Sequence, residues 1–337
     1  MIRTSRTLGR GRVVASLVAL TLVVAGCGDN PDDNTDSSST SVVSIDDSTK
    51  PDPTGTTTPA PEFPTSVEYG GVAVEIAAEP NAVVSLSPTA TEMLFAIGAG
   101  DQVEAADAFS NHPADAPTTD LDGNAPNVEA ILSYEPDLVI VSFDPGDVVS
   151  GLAAANIPTL VLPSAVTLAD TYDQITVLGK ATGHATEADT LNEAMQTEID
   201  ELVASVPERA EPLRYYHELD DTLYSVTSQT FVGEIYSLAG FENIADAADA
   251  DGSAGGYPQL NQEFLVDADP DVIFLADTKC CNQNAETVAA RPGWDGLSAV
   301  QAGNVIELDD DIASRWGPRV VDFLRVIIEA TDEIAAS

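Results

Sequence analysis

Two fifteen-residue stretches, NVEAILSYEPDLVIV at 127–141 and NQEFLVDADPDVIFL at 261–275, align without a gap at an offset of 134 residues. Four positions are identical: Asn127 with Asn261, Glu129 with Glu263, Pro136 with Pro270, and Asp137 with Asp271. An Asn side chain at the head of such a stretch accepts an orphan amide N–H and starts a helix. A proline disfavours helical backbone in the residue before it, so the Pro-Asp pair ends that helix. The four residues that follow, LVIV and VIFL, are all apolar, as in a parallel strand buried on both faces. A strand covered on both faces needs helices packed on either side. Its duplication therefore predicts two similar α/β lobes, each with the order strand, helix, short capped helix, strand.

The start of each lobe carries a weaker echo, with Glu92 six residues before Gly98 and Glu234 six before Gly240. In the first lobe, VAVEIAA at 72–78 and AVVSL at 82–86 read as strands. SPTATEMLFAIGAG at 87–100 then reads as a helix, with Ser87 as N-cap, Pro88 at the first helical position, Met93, Leu94 and Ile97 on one apolar face, and Gly98 or Gly100 as the stop. Between the lobes, 167–206 reads as a linking helix, with Leu191, Met195, Ile199, Leu202 and Val206 at helical spacing and Gly179 and Gly183 as points of interruption. Near the C-terminus, Gly317 and Pro318 open a last helix with Val320, Phe323, Leu324, Ile327 and Ile328 on one stripe.

Charge divides the chain into further parts. The 337 residues hold 56 acids and 13 Lys and Arg, a formal net charge of −43, which excludes a nucleic-acid binder that works by displacing counterions. Residues 1–27 have no acid and four arginines, followed by the apolar run VVASLVALTLVVA at 13–25 and then Gly26 and Cys27. A basic stretch followed by an apolar run too short to span a bilayer is an export signal. In residues 28–66, 28 of 39 positions are Asp, Ser, Thr or Pro, too polar to offset the entropy of ordering, which predicts a disordered tether. The expected organisation is a signal at 1–27, a tether at 28–66, a first lobe at 67–166, a linking helix at 167–206 and a second lobe with a terminal helix at 207–337.

The ending Val24-Ala25-Gly26-Cys27 resembles the lipobox of bacterial lipoproteins, which implies lipid on Cys27 and anchoring at the outer face of the cell membrane. The 85–100 turn and helix, the SNHP loop at 110–113 and the duplicated Glu-containing helix before Pro-Asp resemble the solute-binding proteins of ABC importers for ferric siderophores, haem and cobalamin. The resemblance covers 67 to about 330. It implies two Rossmann-like lobes joined by a long rigid helix, with a small-molecule metal chelate clamped between them and delivered to the ABC permease. It also implies a monomer that is not an enzyme and holds no cofactor. In that family one glutamate on each lobe pairs with permease arginines, and by motif these are Glu129 and Glu263. A carboxylate in the first turn of a helix is also favoured by the helix dipole alone.

Open α/β sheets bind ligands at the carboxyl ends of their strands, and that rule selects the expected ligand residues Ser87, Thr89, Phe109, His112, Phe143, Ser228, Arg315 and Trp316; Tyr257 joins them as an aromatic expected to cover a large flat ligand. Trp294 is a further aromatic candidate. Lys279, Arg291, Arg315 and Arg319 cluster in the second lobe, as counter-charge either for an anionic chelate or for neighbouring acids such as 309–311. Of these bases, Arg315 is the one expected to touch ligand. The remaining cysteines, Cys280 and Cys281, are adjacent; a vicinal disulfide, two free thiols and an intermolecular link are all open. His112, His184 and His217 are dispersed, which disfavours a preformed metal-ion site, and the chain shows no nucleophile elbow or phosphate loop. A haem or metal-ion receptor of the same architecture and a surface enzyme or adhesion lipoprotein are the rival functions. The SPTATE and SNHP pattern is nearest to cobalamin receptors, but 121–124 lacks the tryptophan-rich cleft wall of some of them, so cobalamin and ferric siderophore both stand.

Overall fold

The computed structural model describes residues 63–336. The signal at 1–27, Cys27 and the tether as far as 62 lie outside the described residues. An antiparallel hairpin of β1 (Thr65–Tyr69) and β2 (Val72–Ile76) opens the body. The body therefore begins slightly earlier than position 67, because Thr65 and Ser66 pair with Ile76 and Glu75.

The first lobe contains β3 (Val83–Leu86), α1 (Pro88–Ala96), β4 (Val103–Ala106), α2 (Val128–Leu132), β5 (Leu138–Val141), α3 (Val148–Ala154) and β6 (Thr159–Val161). Its four strands are all parallel, in the order β4-β3-β5-β6. The second lobe contains β7 (Arg214–Glu218), α6 (Phe231–Leu238), β8 (Glu242–Asn243), α7 (Gln262–Ala268), β9 (Val272–Leu275), α8 (Thr278–Cys281), α9 (Ala285–Ala289), α10 (Ser298–Ala302), β10 (Val305–Glu307), α11 (Asp310–Ser314) and α12 (Val320–Ala336). Its sheet, also parallel, has the order β8-β7-β9-β10. The two sheets therefore share one topology, as the repeat predicts.

Two of the four identical positions, the Asn and Asp pairs, make the same kind of bond in both lobes. Asn127 accepts from the Ala130 amide and Asn261 from the Phe264 amide, both at 2.9 Å, and these bonds start α2 and α7. Asp137 accepts from the Asn81 and Ala82 amides (2.8 and 3.1 Å) and Asp271 from the Arg214 amide (2.8 Å). Each Pro-Asp carboxylate thus fastens the start of the neighbouring central strand. Side-chain alternation explains the continuous apolar runs. Leu138 and Ile140 join the core that includes Met93, Leu94 and Ile175, while Val139 and Val141 face Ile131 and Leu152. In the second lobe Val272 and Phe274 pack with Tyr236 and Phe323, and Ile273 and Leu275 pack with Leu265 and Trp294.

The link at 167–206 is two helices, α4 (Leu168–Thr182) and α5 (Ala185–Ser205), parted at Gly183, one of the two glycines read as points of interruption. Gly183 takes φ +88°, a left-handed conformation that costs glycine little, and α4 ends there. The two helices then pack together. A Cβ on Gly179 would lie 2.4 Å from that of Ala188, so the glycine serves close approach and does not interrupt α4. Asn192 donates to the Tyr172 carbonyl and to Thr176 Oγ1, both at 3.0 Å, which fixes the crossing. The 21-residue α5 is the long connecting helix, about 31 Å at 1.5 Å per residue.

Candidate functional site: the carboxyl edges of the two sheets

In the first lobe, the loop after β4 is built on a buried hydroxyl network. Thr91 Oγ1 donates to Ser85 Oγ and bonds Ser110 Oγ, both at 2.9 Å, and Ser110 Oγ donates to Asp107 Oδ1 at 2.8 Å. Asp107 also accepts the Phe109 amide at 3.2 Å. Burial raises the Asp107 carboxyl above its ordinary value, against hydrogen bonds from Ser110 and Phe109 that lower it. The result is a rigid turn that holds the Phe109 ring out at 55% exposure. Phe143, just past β5, is 47% exposed at the same edge. Sequence reasoning did not single out Asp107; Thr91 and Ser110 stand inside the SPTATE and SNHP motifs, but the sequence does not show that these two motifs meet in one hydroxyl network across 19 residues.

Ser87 and Thr89 are buried. Ser87 caps α1 by accepting the Ala90 amide, and Thr89 packs near Gly317. Both therefore lie beneath the edge and support the start of α1. His112 is exposed beside a separate concavity of about 320 Å³ formed with Glu92, Phe95, Asp115 and Arg319.

In the second lobe, a concavity of about 450 Å³ is lined by Thr227, Gln229, Asp246, Asp249, Asp251 and Gly256, with no base among its lining residues. Ser228 lies at its margin and donates through both its amide and hydroxyl to Asp246, each at 2.7 Å. Asp249 accepts the Ala254 and Gly256 amides (2.7 and 2.8 Å), which closes the glycine-rich loop around it. Tyr257, next to that loop, is 48% exposed. The N-cap of α6 is Thr230, which accepts the Gly233 amide at 3.1 Å.

The clustered bases all pair with protein acids, as in the second of the two alternatives left by the sequence. Lys279 pairs with Asp309 and Asp311, Arg291 with Glu218, Arg319 with Glu92, and Arg315 with Glu92 and Asp311. Arg315, the base expected to touch ligand, has its guanidinium enclosed by these protein acids at 9% side-chain exposure. Trp316 is half-buried, with its indole N–H donated to Gln174 Oε1 at 3.0 Å. Trp294 is a core residue at 1% exposure, with the Arg291 guanidinium 4.5 Å from its ring centroid. Cys280 and Cys281 form a vicinal bridge within α8. Glu129 and Glu263 are exposed in the first turns of α2 and α7.

The periplasmic binding protein family model matches residues 83–312, from the first strand of one lobe to the end region of the other. The ABC transporter substrate-binding lipoprotein YvrC of Bacillus subtilis is 28% identical over 342 residues, covering 97% of this chain and 96% of that protein. The vitamin B12-binding protein of Pectobacterium atrosepticum is 30% identical over 253 residues, covering 72% of this chain and 85% of its own length. Among solved structures, the periplasmic vitamin B12 binding protein BtuF of Vibrio cholerae matches at a TM-score of 0.63 and 25% identity, covering 76% of this chain and 98% of that one. The duplicated lobes, the shared strand order and the span of these matches establish that the chain belongs to the periplasmic binding protein family, made of solute-binding proteins and not of enzymes.

Proposed function

We propose that this protein is the lipid-anchored receptor of an ABC importer, which captures a metal chelate of the cobalamin type between its lobes and hands it to a membrane permease. The observation that carries the choice of chelate is the acceptor-rich concavity of the second lobe, with Asp246, Asp249 and Asp251 and no base. A corrinoid presents amide N–H donors around its rim, which such carboxylates accept. The propionates of haem would meet like charge there, at a cost that rises as water is excluded. The exposed rings of Phe109, Phe143 and Tyr257 supply apolar area for the body of a large ligand. The names of the relatives from Bacillus and Pectobacterium support the transport role and the cobalamin reading respectively.

Lipid on Cys27 would hold the receptor at the outer membrane face, and Glu129 with Glu263 would present one carboxylate per lobe to permease cations. Isothermal titration of the purified body with cyanocobalamin, haem and a ferric hydroxamate tests the ligand. One-to-one saturable binding of cyanocobalamin is the expected result. Binding of haem or the hydroxamate in its place overturns the cobalamin reading, and no binding of any chelate overturns the chelate class.

A further inference from the structure

The two glutamates of the weaker repeat echo both reach out of their own lobe. In the second lobe, Glu234 on α6 accepts the Leu168 amide at the start of α4 at 2.7 Å. In the first, Glu92 on α1 is almost wholly buried, its side chain 2% exposed, and takes two guanidiniums from the segment after α11. Arg319 reaches it through Nε and Nη2 at 2.9 and 2.5 Å. Arg315 reaches it through Nη1 at 2.8 Å.

Arg315 does more than pair with Glu92. The same Nη1 donates to Asn111 Oδ1 at 2.9 Å, while Nη2 donates to the Phe109 carbonyl at 2.9 Å and to Asp311 Oδ1 at 2.8 Å. Three of these four acceptors lie in the first lobe and one in the second, and the side chain is only 9% exposed. Asn111 also donates directly to Asp311 Oδ2 at 3.1 Å. Asp311 in turn takes Lys279 Nζ at 2.9 Å, and the Lys279 and Cys280 amides both donate to Asp310. One planar guanidinium thus joins α1, the Phe109-bearing loop, α11 and, through Lys279, the disulfide turn.

We propose that Arg315 is the clamp that fixes the relative position of the two lobes and holds the Phe109 loop over the cleft, acting as a positioning residue and not as a ligand contact. Covalent linkage through α5 leaves the lobes free to rock by small angles. The clamp removes that freedom, because separating the lobes would strip Glu92, Asn111 and the Phe109 carbonyl of a donor at once. Only a planar fork meets four acceptors in this way, and a lysine ammonium is a single point of charge. The ligand arm of the test rests on the receptor reading above, and the lobe-distance arm does not.

Spin labels at A153C on α3 and A302C on α10, both exposed, report the interlobe distance in the ligand-free protein. The parent is expected to give one narrow distribution, and R315Q and R315K one that is roughly twofold broader, as minor lobe arrangements become populated. In R315Q the dissociation rate of cyanocobalamin is expected to rise about tenfold. An unchanged distance distribution in R315Q overturns the clamp, whatever happens to ligand affinity. If R315Q does not fold, N111A decides: it removes two of the interlobe bonds at an exposed position, and a distribution as narrow as the parent's overturns the proposal.

Discussion

Arg291 grips Glu218 through two parallel hydrogen bonds, Nη1 to Oε2 and Nη2 to Oε1, both 2.5 Å long, on a carboxylate with no solvent exposure. Tyr216 donates its hydroxyl to the same carboxylate at 3.2 Å, and Gln283 Oε1 takes a further Arg291 donor at 2.8 Å. Asp277, at the end of the adjacent strand β9, is equally buried, and neither of its oxygens meets a protein donor. Of the two buried carboxyl groups, Arg291 therefore bonds Glu218 alone and acts on Asp277 only through its charge. Replacing it with methionine is expected to destabilise the protein by about 3–5 kcal/mol at pH 7.5, since breaking a buried pair strands a charge. The loss should shrink at pH 5, where one carboxyl is protonated; urea unfolding at the two pH values checks this.

Burial, and then the Glu218 charge, push the Asp277 carboxyl up to about 7 from 3.8. A group with a raised folded pKa stabilises fully below its unfolded value and loses that contribution as pH rises. The window here is 3.8 to about 7, with a slope of at most about 1.4 kcal/mol per pH unit. D277N is expected to abolish this falling limb and to be more stable than the parent above pH 7. Urea midpoints that keep the parent's slope in D277N would sink the assignment.

His217 acts with the opposite sign. Its ring is fully buried with Nδ1 2.9 Å from the Tyr236 hydroxyl, and burial pushes its pKa down from 6.5 to about 3. The unfolded chain binds this proton first, so the stabilisation is complete above 6.5 and is lost as pH falls towards 3. In the parent the two slopes partly cancel between 3.8 and 6.5. H217Q on a D277N background is expected to flatten the acid limb that D277N alone leaves steep, as read by urea midpoints from pH 4 to 7.

Gly233 lies so close to the turn beneath the second-lobe concavity that a Cβ there would sit 2.0 Å from the Thr227 carbonyl oxygen and 2.6 Å from Ser228 Cα. Both obstacles are backbone, so G233A must displace the 227–228 turn or α6. The expected cost is about 1–3 kcal/mol in stability, the range for overpacking, together with weaker chelate binding. Thermal melting and titration of the same variant check the pair. Normal affinity in a destabilised G233A would show that this concavity does not hold ligand.

Charge reversal at both Glu129 and Glu263 is expected to leave folding and chelate affinity intact, because both carboxylates are exposed in first turns of short helices. Uptake in cells should be abolished, since each new lysine would meet a permease cation. The single reversals should fall between. Full uptake by the double variant would refute the docking assignment.

Several elements could be read directly from local chemistry. Asn127, Asn261 and Ser87 act as caps because their short acceptors find an amide two or three residues on, wherever the rest of the chain lies. Gly183 ends α4 by a conformation of its own backbone. The candidate site was legible only in outline. Phe109, Phe143 and Tyr257 are exposed, whereas Trp294 lies in the core and Trp316 packs half-buried against it. Nothing local distinguishes these tryptophans from the exposed aromatics, because burial depends on which surfaces meet.

The repeat by itself determined that the chain folds as two equivalent parallel α/β lobes, since helix caps, Pro-Asp stops and two-sided apolar strands are local patterns repeated at one spacing. Tertiary structure alone decided the fate of the charges. Arg315 lies 223 residues from Glu92 and 206 from Phe109, and Arg291 lies 73 from Glu218. Whether an arginine meets ligand, water or a buried carboxylate depends on the packing of distant elements. A single sequence without partners in space holds no term for that energy.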